Sequence, residues 1–264
     1  MDLDIAAWKD STRSALAGWW DDLVAAGCFL TRLPLAGLSS AHTGLLARSM
    51  RAFPLVGIVV GAAGWAAYAV AADIGLPSTI AALLALAATV LVTGALHEDG
   101  LADTADGLGG GEDRAGKLAI MRDSRIGAYG VLALVFSLAL RAAALAVLTT
   151  PRAGAALIAA HAVSRAGLPI VMRWLAPARD NGLGASAGQP DDSAIGWCAG
   201  IAVVVALLCL GVVPGLAALV VAAAAVAGLA RLAQRQIGGY TGDVLGAAQQ
   251  IGELAVLLTA AAFA

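Results

Sequence analysis

The chain has 264 residues, of which 60% are hydrophobic and 13% charged, and its mean hydropathy is +0.86. That balance excludes an ordinary water-soluble globular protein, in which about a quarter of the residues are charged. A formal net charge of −2 offers no basic surplus for nucleic acid, and no nucleic-acid partner is expected.

In chain order, residues 4 to 30 mix Trp8, Trp19 and Trp20 with Lys9, Arg13, Asp21 and Asp22. That mixture suits a helix lying at the membrane interface or a buried re-entrant one. The Met-Asp-Leu-Asp start has no basic or apolar leader pattern, so no cleavable signal peptide is expected. Apolar blocks about as long as the ~20 residues needed to cross a bilayer follow. They predict spans over Phe53 to Ala72, Ile80 to Leu96, Val131 to Leu148, Ala153 to Met172, Ile195 to Val213 and Gly215 to Ala230. A seventh, Ile251 to Ala264, is short and polar at its start. The expectation is an all-α, polytopic bundle of about seven transmembrane helices plus the N-terminal helix, forming one integral membrane domain from residue 1 to 264 with the lipid bilayer as its solvent.

Seven crossings put residues 1 to 52, 97 to 130, 173 to 194 and 231 to 250 on one face. Of the 16 Lys and Arg residues, 13 lie there and Arg152 alone lies on the other face, while Arg141 and Arg165 fall inside spans. Basic residues near short loops stay cytoplasmic, so the polar face is expected in the cytoplasm, at the inner membrane of a prokaryote. Trp174 and Trp197 near span ends suit headgroup depth. Cys28, Cys198 and Cys209 lack CxxC spacing and read as packing residues.

The densest polar signal is His97-Glu98-Asp99-Gly100-Leu101-Ala102-Asp103-Thr104-Ala105-Asp106-Gly107. Asp99, Asp103 and Asp106 stand at i, i+4 and i+7, on one face of a helix. Carboxylates stacked in that way repel unless a cation lies between them, and hard oxygen donors suit Mg2+ or Mn2+. A solvated acidic helix end is the plainer alternative. The run Gly111-x4-Gly116-Lys117 has P-loop spacing, yet Leu118 occupies the Ser/Thr position and no strand precedes it. It reads as a flexible connection before a short helix. Asp123, Ser124 and Arg125 then crowd the start of a span, where Arg122 and Arg125 are interfacial anchors or phosphate contacts. Arg141, His161 and Arg165 lie within spans, where charge is costly and faces a cavity or a partner. A Gly-rich turn bearing Thr241 and Asp243 leads to Glu253.

Together these segments resemble the adenosylcobinamide-GDP ribazoletransferase family, also called cobalamin 5′-phosphate synthase. The resemblance rests on Phe29-Leu30-Thr31-Arg32-Leu33-Pro34, Phe53-Pro54-Leu55-Val56-Gly57, His97-x-Asp99-Gly100-Leu101-x-Asp103-x2-Asp106-Gly107, Asp123-Ser124-Arg125-Ile126-Gly127 and Thr241-Gly242-Asp243 with Leu245-Gly246-Ala247. It implies that a ribose hydroxyl of α-ribazole, or of its 5′-phosphate, attacks the cobinamide-linked phosphorus of adenosylcobinamide-GDP and releases GMP, with Mg2+ as cofactor. The expected site has Asp99, Asp103, Asp106, Glu98 and Glu253 at the metal, and His97 and Asp243 as catalytic candidates. Arg51, Asp123, Ser124, Arg125, Thr241, Arg141 and Arg165 are expected at substrate or phosphate. The general base is open: His97 has a suitable ordinary pKa of about 6.5, and can equally orient a carboxylate. Gln250 stands where such members often carry Glu, and is left out of the ligands. A homo-oligomer is compatible with the sequence.

Two rivals remain. A CDP-alcohol phosphotransferase also carries aspartates at a membrane helix end, but its Ala-Arg pair after the first Asp-Gly is replaced by Leu101-Ala102. A secondary transporter would use Arg141, His161 and Arg165 along a pathway, with acids at mid-membrane and an internal repeat, neither of which the sequence displays.

Overall fold

The structure, a computed structural model, describes residues 5–38 and 46–264, the side chains at 5–16, 183 and 185 apart. Twelve α-helices are described: α1 (Ile5–Leu30), α2 (Leu46–Ser49), α3 (Phe53–Asp73), α4 (Ser78–Thr93), α5 (Leu96–Gly110), α6 (Arg114–Ile120), α7 (Ala128–Ala146), α8 (Thr150–Trp174), α9 (Leu183–Ser186), α10 (Asp192–Leu210), α11 (Val212–Ile237) and α12 (Gly242–Ala262). Among the described residues no strand occurs; the nearest approach is an isolated parallel bridge between Pro177 and Tyr240. The protein is an all-α membrane bundle. Six helices are long and apolar enough to cross a bilayer, and the bent pair α4–α5 brings the number to seven.

The first six predicted spans coincide with α3, α4, α7, α8, α10 and α11. The seventh begins nearer the polar end than the sequence suggests, because α12 starts at Gly242 and not at Ile251. Its first turns carry Gly, Asp and Gln, which lower the local hydropathy, yet Thr241 caps it by accepting from Val244 N at 3.2 Å. The polar side chains of those turns point into protein, where hydropathy averages say nothing about cost. The central position of α12 explains this. Of the most apolar stretch of each helix, 72% is buried in α12 and 78% in α8, against 22% to 39% in the spans containing α3, α7, α10 and α11. The bundle therefore has α8 and α12 at its centre, with lipid-facing helices around them.

Small residues permit the tight contacts. On α3, a Cβ at Gly57 would sit 2.2 Å from His161 O, and one at Gly61 would sit 2.7 Å from Leu157 O, so α3 lies with its backbone against α8. The packed interior beyond the site is mostly alanine, closed by Tyr68, Leu86, Leu145 and Leu157.

At Gly94 and Ala95 the chain turns by 93° between α4 and α5. Both residues are left-handed, with φ of 66° and 58°, which glycine adopts freely and alanine at a cost of roughly 1–2 kcal/mol. We read α4 as the crossing segment and α5 as turned across the polar end of the bundle, where it packs on α12 and α7. Of the run read as a flexible connection before a short helix, only Gly111 to Asp113 connects, because α5 continues to Gly110 and α6 begins at Arg114. Lys117 Nζ donates to Leu108 O at 2.9 Å and Gly111 O at 2.6 Å, so this lysine serves the backbone and not a phosphate.

The polar connections meet at one end. Arg114 donates to Ile237 O and Ala178 O, each at 2.8 Å, and Arg122 to Asn181 Oδ1 at 2.8 Å, joining α6 to the loops after α8 and α11. In α1, the buried Asp22 accepts from Arg48 and Arg51, Arg51 lies 4.0 Å over Trp19, and Trp19 meets Trp197 edge-on. The expectations for Trp8, Lys9 and Arg13 lie outside the described side chains. Cys198 is buried as expected, but Cys28 is exposed and not a packing residue.

Candidate active site

The close crossing of α5 and α12 builds the site. A Cβ at Gly100 would lie 2.8 Å from Asp243 O and 3.0 Å from Gly246 Cα, and one at Gly246 would lie 3.1 Å from Gly100 Cα. Only glycines permit that approach. It brings Asp243, at the first turn of α12, to the acidic face of α5. A cavity of about 200 Å³ opens there, lined by the polar residues Asp99, Asp243, Arg179 and His97 and by apolar ones, among them Phe29, Met50, Phe53 and Met172.

The carboxylates of Asp99, Asp103 and Asp243 act on one another. The Asp103 carboxyl is pushed up to about 6, first by burial and then by the charges of Asp99, Asp243 and Asp106, while Arg179 opposes them. Arg179 Nη2 donates to Asp243 Oδ2 at 3.2 Å, and Thr241 Oγ1 donates to the same oxygen at 3.1 Å. Three carboxylates facing one guanidinium leave two negative charges without a partner when all three are ionised, a balance suited to one divalent cation. Among the described residues no three His, Cys, Asp or Glu side chains are arranged to hold a metal ion by themselves. Mg2+ does not require that, because it is commonly held by one or two carboxylates with water and substrate phosphate completing the shell. The donor set fits the ion on charge and chemistry.

The other expected residues divide clearly. Asp106 faces away from this group: its oxygens accept from Gly127 N at 2.7 Å and Gly130 N at 2.9 Å, which caps the start of α7. Glu253 is 0% exposed and both its oxygens are engaged. Oε1 accepts from Arg141 Nη1 at 2.9 Å; Oε2 accepts from Gln249 Nε2 at 2.8 Å and lies 3.2 Å from His161 Nδ1. Arg165 Nη1 lies 2.9 Å from His161 Nδ1. Glu98 joins the same network, 3.6 Å from Arg141 Nη1 and accepting from Gln250 Nε2 at 3.0 Å. Glu98 and Glu253 thus balance buried arginines, and neither Arg141 nor Arg165 lines the cavity. Gln250 bridges Glu98 and Gln249 with its amide, where a second acid would face Glu98.

Arg51 is taken by Asp22 and Trp19. Arg125 is 87% exposed and grips Asp123 with a fork that holds the Asp123 carboxyl well below the usual carboxylate range; Ser124 is exposed beside them. His97 lines the cavity and its buried Nε2 has no hydrogen-bond partner. Sequence reasoning missed Arg179. Its only signal was an arginine in the loop Pro177-Ala178-Arg179-Asp180-Asn181-Gly182, whose nearness to Asp243 depends on a pairing across 63 residues.

The sequence profile of the Cobalamin-5-phosphate synthase family matches residues 22–261. A protein of Bradyrhizobium diazoefficiens named adenosylcobinamide-GDP ribazoletransferase is 51% identical over 92% of this chain and 94% of its own length. Proteins of the same name from Mesorhizobium japonicum and Azorhizobium caulinodans are 48% and 46% identical, covering 91% and 90% of this chain and 92% and 94% of their own. No solved structure matches the chain.

Proposed function

Because the chain belongs to the Cobalamin-5-phosphate synthase family, whose members named above are adenosylcobinamide-GDP ribazoletransferases, we propose that it joins adenosylcobinamide-GDP to α-ribazole, or to α-ribazole 5′-phosphate, at the cavity between α5 and α12. GMP is the leaving group, and adenosylcobalamin or its 5′-phosphate is the product of this step in cobalamin biosynthesis. The observation that carries this reading is the convergence of Asp99, Asp103 and Asp243 through the Gly100–Gly246 crossing, beside an apolar wall.

Asp99, Asp103 and Asp243 would hold Mg2+, which when bound supplies charge neutralisation for a diphosphate and polarises its phosphoryl oxygens. His97 lines the cavity, and burial, followed by the Arg165 charge, holds its imidazole well below the ordinary value, so the neutral ring is the candidate acceptor for the proton of the attacking ribose hydroxyl. Phe29, Phe53, Met50 and Met172 form a dry surface suited to the flat aromatic base of α-ribazole. The Gly100–Gly246 contact keeps the acids together on two rigid helices and so preorganises the charge. Purified protein given adenosylcobinamide-GDP, α-ribazole and Mg2+ should release GMP and form a cobalamin in equal amounts. Folded protein that forms neither would overturn the assignment.

The site faces the cytoplasm in this reading, which the excess of basic residues at the polar end supports. Ala115, Ser186 and Gln234 are all exposed there. Single cysteines at these positions, with Cys28, Cys198 and Cys209 replaced, should resist an impermeant thiol reagent in intact cells and react after the cells are opened. Labelling of any of them from outside would invert or break the topology.

A further inference from the structure

The Arg179 side chain stands between two roles. It is the guanidinium partner of Asp243, yet it lines the cavity, and its buried Nη1 has no hydrogen-bond partner. The loop that carries it is fastened one residue earlier: Ala178 N donates to Tyr240 O at 2.7 Å, Ala178 O accepts from Arg114 at 2.8 Å, and Tyr240 N donates to Ala176 O at 3.0 Å. A Cβ at Gly239 would lie 2.1 Å from Ala176 O, so this pairing needs glycine there. The backbone at Arg179 is held while its long side chain reaches into the cavity.

We propose that Arg179 is a phosphate-binding residue that exchanges partners: it neutralises Asp243 before the cation arrives, and passes to the substrate diphosphate once a divalent cation has taken Asp243. The proposal rests on the reading of the cavity as the Mg2+ and diphosphate site. Its physical basis is competition for one carboxylate. Asp243 Oδ2 already receives Thr241 and Arg179, and a divalent ion at that oxygen repels the guanidinium. The fork then has a spare Nη1 and a released Nη2, the two parallel donors that suit phosphate oxygens. No other Lys or Arg lines this cavity among the described residues.

The exchange makes opposite demands on two affinities, which a structural brace does not. Isothermal titration of the full-length protein in detergent, first with Mg2+ alone and then with GDP at saturating Mg2+, separates them. Arg179→Ala should bind Mg2+ alone at least threefold more tightly, having lost the competitor for Asp243, and should bind GDP at least tenfold more weakly. Arg179→Lys keeps the charge without the fork, so its Mg2+ affinity should match wild type while GDP binding falls by an intermediate factor. Parallel weakening of both ligands, accompanied by a lower melting temperature, would make Arg179 a brace and overturn the exchange. Unchanged affinities would also overturn it, leaving the site reading in place. Wild-type protein that binds no Mg2+ with or without GDP would remove the site reading and this proposal with it.

Discussion

Glu253→Ala should be the most destabilising single substitution considered for the bundle, at a cost of about 3–5 kcal/mol. Glu253 and Arg141 are both 0% exposed, and their 2.9 Å contact joins α12 to α7 at the centre of the protein. Removing the carboxylate leaves Arg141 with Glu98, at 3.6 Å, as its one neighbouring acid beside the Ser137 carbonyl at 3.4 Å, and leaves His161 without the acid that faces it. Several polar atoms of this network, among them Arg141 Nη2 and Arg165 Nε, already lack protein partners, so it has no reserve of hydrogen bonds. For a protein of this size the melting temperature in detergent should fall by roughly 10 °C. Arg141→Met combined with Glu253→Leu removes both charges and should recover part of the loss, because well-packed apolar replacements of a buried pair are often neutral. A Glu253→Ala protein that melts within 2 °C of wild type would show that Arg141 finds its compensation elsewhere. Glu253 is thereby separated from the chemistry: its loss should lower the amount of folded protein more than the turnover of what folds.

The seven apolar segments were legible in the sequence because lipid imposes nearly the same requirement on every helix. What hydropathy could not read is direction. In α12 the residues Gln249, Gln250 and Glu253 look like a polar approach to a short span, whereas they are the buried face of a long one, opposite Arg141, His161 and Ser164. The same limit applies to the acidic segment. Spacing puts Asp99, Asp103 and Asp106 on one face of α5, but whether an acid faces a ligand or a helix end depends on what lies opposite. For Asp106 that is the N-terminus of α7. For Asp99 and Asp103 it is Asp243, brought there by two glycines 146 residues apart, Gly100 and Gly246. Arg179 is the extreme case, since only the pairing of its loop with Tyr240 places it at Asp243.

Asp103→Asn should remove most of the activity and leave a folded, membrane-inserted protein. The charges of Asp99 on its own helix and of Asp243 on α12 both raise the Asp103 pKa, so its carboxyl stands where their fields overlap. The amide keeps the size of the carboxyl and removes its charge, and α5 keeps the contacts that hold it, among them Gly100 against α12, Glu98 with Gln250, and Asp106 at α7. Loss of one cation-holding carboxylate leaves transition-state charge on the diphosphate less well compensated, a cost of about 3 kcal/mol or roughly 10²-fold in rate. A solvated acid with no such role would tolerate the change within about half a kcal/mol. The pH dependence supplies an independent sign. With its pKa raised to about 6, Asp103 is protonated below that pH in the cation-free protein, and a proton must leave before a metal ion binds. Wild-type affinity for Mg2+ should therefore weaken as pH falls through 6, approaching about tenfold per unit, and in Asp103→Asn this dependence should be markedly weaker. The deciding measurement is a Mg2+ titration of GMP release at pH 5.5, 6.5 and 7.5, for wild type and variant at equal amounts of monodisperse protein. An unchanged maximal rate with an unchanged Mg2+ response at all three pH values would refute the role of Asp103 and, with it, the acidic centre between α5 and α12.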